Sequence, residues 1–262
     1  MNTLEALETA YLGDPCAVLA NPLWKAESIL EGSESSVRVD ADGRVAHVEA
    51  WQDDHLHIYW DANFEWNPSV PEETWRRPAF AVINSRYAAR LSLTPDYIIQ
   101  RFFRLELNRP VEEFPLPPGF RFASASLPAE ARLASEVIGR SYAHMRPDLD
   151  DVVRWMQQPV FDPTLWIWMI DERTNQPAGL GIAEFDHKRK EASLEWIQVL
   201  PEYRGQGLAK ALVTHLLGML AGSASLVTVS GEADNPSDAE HLYRRCGFAG
   251  QNVWWVLRRL GG

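Results

Sequence analysis

From Gly119 onward the apolar positions switch between a period of two and a period near 3.6 in a regular order. Gly119 to Ser124 reads as a short strand. The spacing of Leu133, Val137 and Ile138 predicts a helix over Pro128 to Tyr142, and Val152, Val153 and Met156 a second over Asp148 to Gln157. Three strands follow, Leu165 to Asp171, Gly179 to Asp186 and Ala192 to Val199. The polar turns ERTNQ and HKRKE between them predict an antiparallel meander. Leu208, Leu212, Leu216 and Leu220 then recur every four residues, giving a helix with one apolar face that stops near Gly222. A strand at Ser225 to Ser230, a short helix through Cys246 closed by Gly247, and a strand at Val253 to Arg258 complete the series. This order is α+β, a mixed sheet flanked by helices, without the strict alternation of a dinucleotide-binding fold.

The first half carries a weaker pattern. SSVRVDADGRVAHVEAW and HLHIYWD alternate as strands, partly joined through an Asp-Gly turn, while Thr74 to Leu93 is mixed and helical in places. Phe102 to Leu107 reads as a strand running into NRPVEEFPLPPG, residues 108–119, whose four prolines and lack of periodicity mark a linker. Two domains are therefore expected, a smaller α+β domain at 1–112 and a second at 116–262. No internal repeat is visible in the residues themselves.

A length of 262 residues with 46% hydrophobic and 23% charged side chains is enough for a real core. No apolar run approaches the roughly 20 residues of a membrane helix, and the start MNTLEALETAYLGD has no secretory pattern, so a cytoplasmic protein without membrane contact is expected. Cys16 and Cys246, far apart and outside any ligand motif, read as reduced structural thiols. The net charge of -11 argues against nucleic acid. It is uneven: residues 1–115 hold 19 acidic and 10 basic side chains, residues 116–262 hold 17 and 15. The excess serves solubility, or it draws a cationic substrate such as an amine toward the first half.

The stretch PEYRGQGLAKAL puts Gly205 and Gly207 at the mouth of a helix. The first N–H groups of a helix lack intrahelical partners and sit at its positive end, so a phosphate can bind them where no Cβ intervenes. Two nucleotide motifs fail here. The third glycine of G-x-G-x-x-G would fall on Lys210, and no G-K-[ST] is present.

The string LEWIQVLPEYRGQGLAKAL, then SLVTVS, then NPSDAEHLYRRCGF, over about residues 117–260, resembles the GNAT superfamily of acyl-CoA-dependent N-acyltransferases. By that resemblance Arg204, Gly207 and Ala209 stand at the positions of the signature Q/R-x-x-G-x-G/A. It implies that the backbone of Gly205, Gln206, Gly207, Leu208, Ala209 and Lys210 holds the pyrophosphate of acetyl-CoA, the cosubstrate. Ile197, Gln198 and Val199 match a strand that splays from its neighbour and receives the pantetheine arm. Tyr243 matches the tyrosine that protonates the departing thiolate, and Asn235 an asparagine that contacts CoA, although it stands eight positions before Tyr243 where seven is commoner. The place of the family's basic glutamate is taken by Ser193. Glu195, two residues on along the same strand face, is the candidate substitute, with Glu184, Asp186 and Glu232 as further carboxylates.

The resemblance implies direct attack of an amine on acetyl-CoA in a ternary complex, with a small-molecule or peptide acceptor and no metal. The rival reading is a non-catalytic acyl-CoA-binding regulatory module. His55 and His57 share a strand face beside Asp53 and Asp54, a conceivable metal site but without further ligands. Trp51, Trp60, Trp66 and Trp75 suit either a substrate cleft or a core. The first half is a cover for the substrate cleft or a degenerate copy of the same fold.

Overall fold

The structure, a computed structural model, describes residues 1–142 and 145–260. Residues 1–107 form helices α1 (Thr3–Gly13), α2 (Pro15–Val18) and α3 (Leu23–Glu31), strands β1 (Glu34–Val39), β2 (Val45–Gln52) and β3 (His55–Asp61), helix α4 (Glu72–Arg76), and strands β4 (Phe80–Asn84) and β5 (Tyr97–Leu107). Then come β6 (Phe120–Ser124), α5 (Ala131–Ser141), α6 (Leu149–Met156), β7 (Trp166–Asp171), β8 (Gln176–Asp186), β9 (Glu191–Val199), α7 (Leu208–Leu220), β10 (Leu226–Glu232), α8 (Ala239–Arg245) and β11 (Phe248–Arg259). The chain divides into two compact units whose segments interleave. The first holds residues up to Leu105, Ser230–Glu240 and the chain from Gly250. The second holds Glu106–Val229 and His241–Ala249.

In the first unit the strand order is β1-β2-β3-β4-β11-β5. β1, β2 and β3 form an antiparallel meander. β4 then pairs parallel with β3, but only His55–Leu56 opposite Phe80–Ala81, after which the strands part. The core between them is aromatic: Trp51, Tyr59 and Tyr87 are buried, and Trp66 and Trp75 pack against them. These tryptophans are core residues. The segment after β3 is closed by Asp61, whose Oδ1 accepts the N–H groups of Asn63 at 2.9 Å and Glu65 at 3.1 Å.

Residues 74–93 are mixed and helical in places, as expected, opening on the end of α4, but the strand among them was not foreseen. A continuous run rich in apolar and β-branched residues, FAVIN, makes the strand β4, followed by a 3-10 turn at Ser85–Arg90. The three N-terminal helices were also unforeseen. α1 is opened by a capping box, in which Asn2 accepts from the Glu5 N–H and Glu5 from the Asn2 N–H, both at 2.9 Å.

In the second unit the order is β10-β9-β8-β7-β6, with the expected meander β7-β8-β9 antiparallel and β10 parallel to β9. A meander followed by a parallel strand that parts from it thus occurs in both units. The repeat lies in topology, where side-chain identity hides it. α5 and α6 cover one side of the sheet through Ala134, Val137, Ile138 and Val152 against Trp166, Trp168, Leu180 and Ile182. α7 buries Leu208, Leu212, Leu216 and Leu220, the four leucines of the predicted stripe. The proline-rich linker is docked along α7. The Phe114 N–H donates to Thr214 Oγ1 at 2.9 Å, Glu113 meets His215 at 2.7 Å, and the Lys210 ammonium lies 4.3 Å from the centre of the Phe114 ring.

Candidate functional site

Strand β9 carries an irregularity where the chemistry was expected. Ile182 of β8 faces Trp196 while the next residue, Ala183, faces Leu194, so Glu195 is an extra residue, a β-bulge. Pairing with β10 covers Glu191–Leu194 opposite Leu226–Val229 and ends there, so β9 from Glu195 onward has parted from β10. The Leu200 N–H bonds to the Ala178 carbonyl at 2.9 Å. Backbone bonding alternates in an antiparallel pair, so Leu200, Gln198 and Trp196 turn their peptide groups to β8. Ile197 and Val199 turn theirs to the parted side. Of the three residues expected to face the pantetheine arm, two present backbone in that direction and Gln198 does not.

The turn after β9 shows why glycine stands there. Gly205 has φ +79° and Gly207 φ +83°, the left-handed region that other residues enter at a cost of about 1–2 kcal/mol. A Cβ on Gly207 would stand 3.4 Å from the Phe114 ring. α7 starts at Leu208 with no side-chain cap and no acidic residue in its first turn. The N–H groups of Leu208, Ala209 and Lys210 therefore begin a 13-residue helix whose own cap and first turn put no acidic side chain at its positive end. Arg204 is occupied otherwise: its Nε donates to the Val199 carbonyl at 3.1 Å and its Nη2 to the Ser141 carbonyl at 2.8 Å. Within this structure it braces the turn against the ends of β9 and α5.

Tyr243 on α8 is buried, 7% exposed. Burial first, then the proximity of Tyr142, Cys246 and Glu195, pushes its phenol well above the ordinary range. It thus holds its proton firmly, beside the Glu195 bulge. No role for Tyr142, which stands just past the end of α5, follows from the sequence pattern. Its hydroxyl lies 3.5 Å from the Ile197 carbonyl oxygen, and burial raises its pKa while the Arg204 charge works against that rise. The signal for it was slight, a tyrosine closing a predicted helix. Burial pushes the Cys246 thiol up to about 11, against the charges of Lys210 and Arg245, which makes it a poor nucleophile.

The carboxylates separate by structure. Glu195 is half-buried on the bulge, and Ser193 is buried at 2% exposure opposite Glu184. Asp186 is consumed by the β8–β9 hairpin, where it accepts from the Lys188 N–H at 2.9 Å and from Arg189 Nη1 at 2.8 Å. Glu232 is exposed and belongs to the first unit. Asn235 belongs to the first unit as well, and its Oδ1 accepts from the Ser237 N–H at 2.9 Å. His55 and His57 contact each other and the Phe80 ring. Among the described residues no group of three metal-ligating side chains is placed to hold an ion, and no helix is long and apolar enough to cross a membrane.

Residues 163–249 match the family model of the Acetyltransferase (GNAT) domain. Among solved structures the chain is similar to a GCN5-related N-acetyltransferase from Sphaerobacter thermophilus, with 18% identity over 90% of this chain and 84% of that one, at a TM-score of 0.67. A GNAT-family acetyltransferase from Colwellia psychrerythraea aligns over 99% and 98% of the two chains, with 13% identity and a TM-score of 0.61. A tandem GNAT protein from the clavulanic acid biosynthesis pathway aligns over 99% and 95%, with 14% identity and a TM-score of 0.59. At such identities the likeness is one of fold, and it extends through both halves of the chain. Among curated proteins nothing matches.

Proposed function

From a chain whose residues 163–249 match the GNAT acetyltransferase domain model and whose fold is similar to that of a tandem GNAT protein along its length, we propose an N-acetyltransferase that moves the acetyl group of acetyl-CoA to an amine. The observation that carries this reading is the parting of β9 from β10 directly before an uncapped, glycine-opened helix. The N–H groups at 205–210 suit a pyrophosphate, and the peptide groups of Ile197 and Val199 suit the amide-bearing arm that follows it.

In the proposed reaction the amine lone pair attacks the thioester carbonyl, a C–N bond forms, and collapse of the tetrahedral intermediate breaks the C–S bond. N–H groups on the parted side of β9 stabilise the oxyanion. Glu195, directly or through water, takes the proton the amine must lose. Tyr243 gives its proton to the departing thiolate and regains one from solvent. The acceptor is a small molecule or peptide amine, and the acidic first half favours a small cation.

Calorimetry with acetyl-CoA, and thiol release with a panel of amines, test this. Wild-type protein is expected to bind acetyl-CoA and release thiol with at least one amine. Gly207→Val is expected to weaken acetyl-CoA binding by at least about tenfold, because a β-branched residue is strained at that φ and its side chain meets Phe114. No binding by wild type would overturn the proposal. Ser193 in the glutamate's place favours a second reading, a binding module without turnover. Binding without thiol release across the panel would select it.

A further inference from the structure

We infer that the second unit takes an acceptor whose amine is carried on an aromatic ring system, seated on a platform formed by Trp155, Trp196 and Tyr142. This rests on the acetyltransferase reading and adds the class of its acceptor. Trp155 of α6 stacks on Trp196 of β9, with ring centres 5.0 Å apart and planes 26° from parallel. Tyr142 meets the same Trp196 edge-on at 5.9 Å. All three rings are only partly buried, whereas the neighbouring Trp166 and Trp168 are sealed at 2% exposure. The stack is therefore an accessible rim on an otherwise closed core.

The bulge connects this rim to the chemistry. Ser193 faces Glu184, and Trp196 faces Ile182, which packs under α5 and α6. Alternation from Ser193 puts Glu195 on that side, and pairing with Ile182 puts Trp196 on it too. The extra residue thus brings the proposed base and the indole to one face as consecutive residues. Gln198 is the independent observation. One pleat along from Trp196 on the same face, it is 3% exposed, and neither atom of its side-chain amide has a hydrogen-bond partner. An amide buried without partners is destabilising, a penalty that a ligand's polar group can remove.

An acceptor satisfying these features has a flat ring for the indole stack, a primary amine near enough to reach Glu195, and a hydrogen-bonding group for Gln198. Offset aromatic stacking adds a modest preference to the area the ring buries, so together they are expected to give about tenfold rather than absolute selectivity.

The test compares 2-phenylethylamine, tryptamine, ethylamine and spermidine as acceptors, with calorimetry of 2-phenylethylamine into protein held with desulfo-CoA. The aryl amines are expected to exceed ethylamine and spermidine in kcat/KM by about tenfold. In Trp155→Ala the ratio of 2-phenylethylamine to ethylamine is expected to collapse toward one, and 2-phenylethylamine binding to weaken about tenfold. Trp155→Phe is expected to restore most of both. Preference for spermidine or ethylamine, or an unchanged ratio in Trp155→Ala, would overturn the inference while leaving the acetyltransferase reading intact. Equal loss with every amine and no recovery in Trp155→Phe would overturn it too, as the mark of a purely structural indole. Failure of the wild type to bind acetyl-CoA would instead bring down the reading beneath it.

Discussion

Residue by residue, the site is a set of protonation states fixed by burial. Tyr243 has its phenol raised above the ordinary value of about 10, so it stays protonated at every pH below that. The pH profile of kcat is therefore expected to show no decline from this group on the basic side below about pH 10. Tyr243→Phe is expected to lower kcat by about a hundredfold while acetyl-CoA binding, followed by calorimetry, persists. A basic-side decline near pH 8 that disappears in Tyr243→Phe would contradict this. Gly205 and Gly207 were legible in the sequence because their purpose is local: a turn of positive φ before an apolar stripe. The geometry of Arg204 and Gln198 was not. Whether a guanidinium faces solvent or braces two carbonyls depends on where Ser141, 63 positions away, comes to lie.

At the scale of elements, the β8–β9 hairpin positions the bulge, and Asp186 holds its turn. Burial works to raise the Asp186 carboxyl, but the hydrogen bonds and charge of Arg189, with the Lys188 N–H, outweigh burial and leave it below the usual range. A depressed folded pKa contributes stability above the unfolded value, near 3.9, that is lost as pH falls through the folded one. Asp186→Asn is expected to cost about 2 kcal/mol at pH 7 by urea denaturation, the gap to wild type closing as pH falls below about 4. A gap that persists at low pH would assign the effect to packing.

The elements of the second unit were the most legible, since β7, β8, β9 and α7 are long and strongly periodic. Those of residues 1–33 were not, although α1 buries Ala6, Leu7, Ala10 and Tyr11 at helical spacing. Half of that stripe is alanine, which carries little hydropathic contrast. β4 was obscured for another reason: the half-buried Phe80 and Val82 on one face are as apolar as the buried Ala81 and Ile83 on the other, and short apolar runs do not distinguish strand from helix.

For the whole molecule, the repeated topology raises the question of how many donors bind. In the first unit the strands β3 and β4 also part, yet the segment after β3 has its N–H groups taken by the Asp61 carboxylate and its core filled by Tyr59, Trp66 and Tyr87. A fixed carboxylate stands on the amides that a phosphate would need. The helix that follows, α4, has five residues and two glutamates in its first turn. Calorimetry is expected to give one acetyl-CoA per chain; a stoichiometry of two would refute this reading of the first unit. The duplication was within reach only through the family resemblance, as a degenerate copy of the same fold, because a meander with one parting strand can be built from unrelated side chains.

The interleaving of segments reaches beyond the finished molecule. In the first unit β11 lies between β4 and β5, and it is the final strand of the chain. While the protein is being synthesised, its amino-terminal half emerges with a vacancy in the middle of its own sheet that no earlier residue can fill. Two unsatisfied strand edges wait there until β11 has been made. A premature stop before Phe248 therefore removes the central rung of the half that was made first.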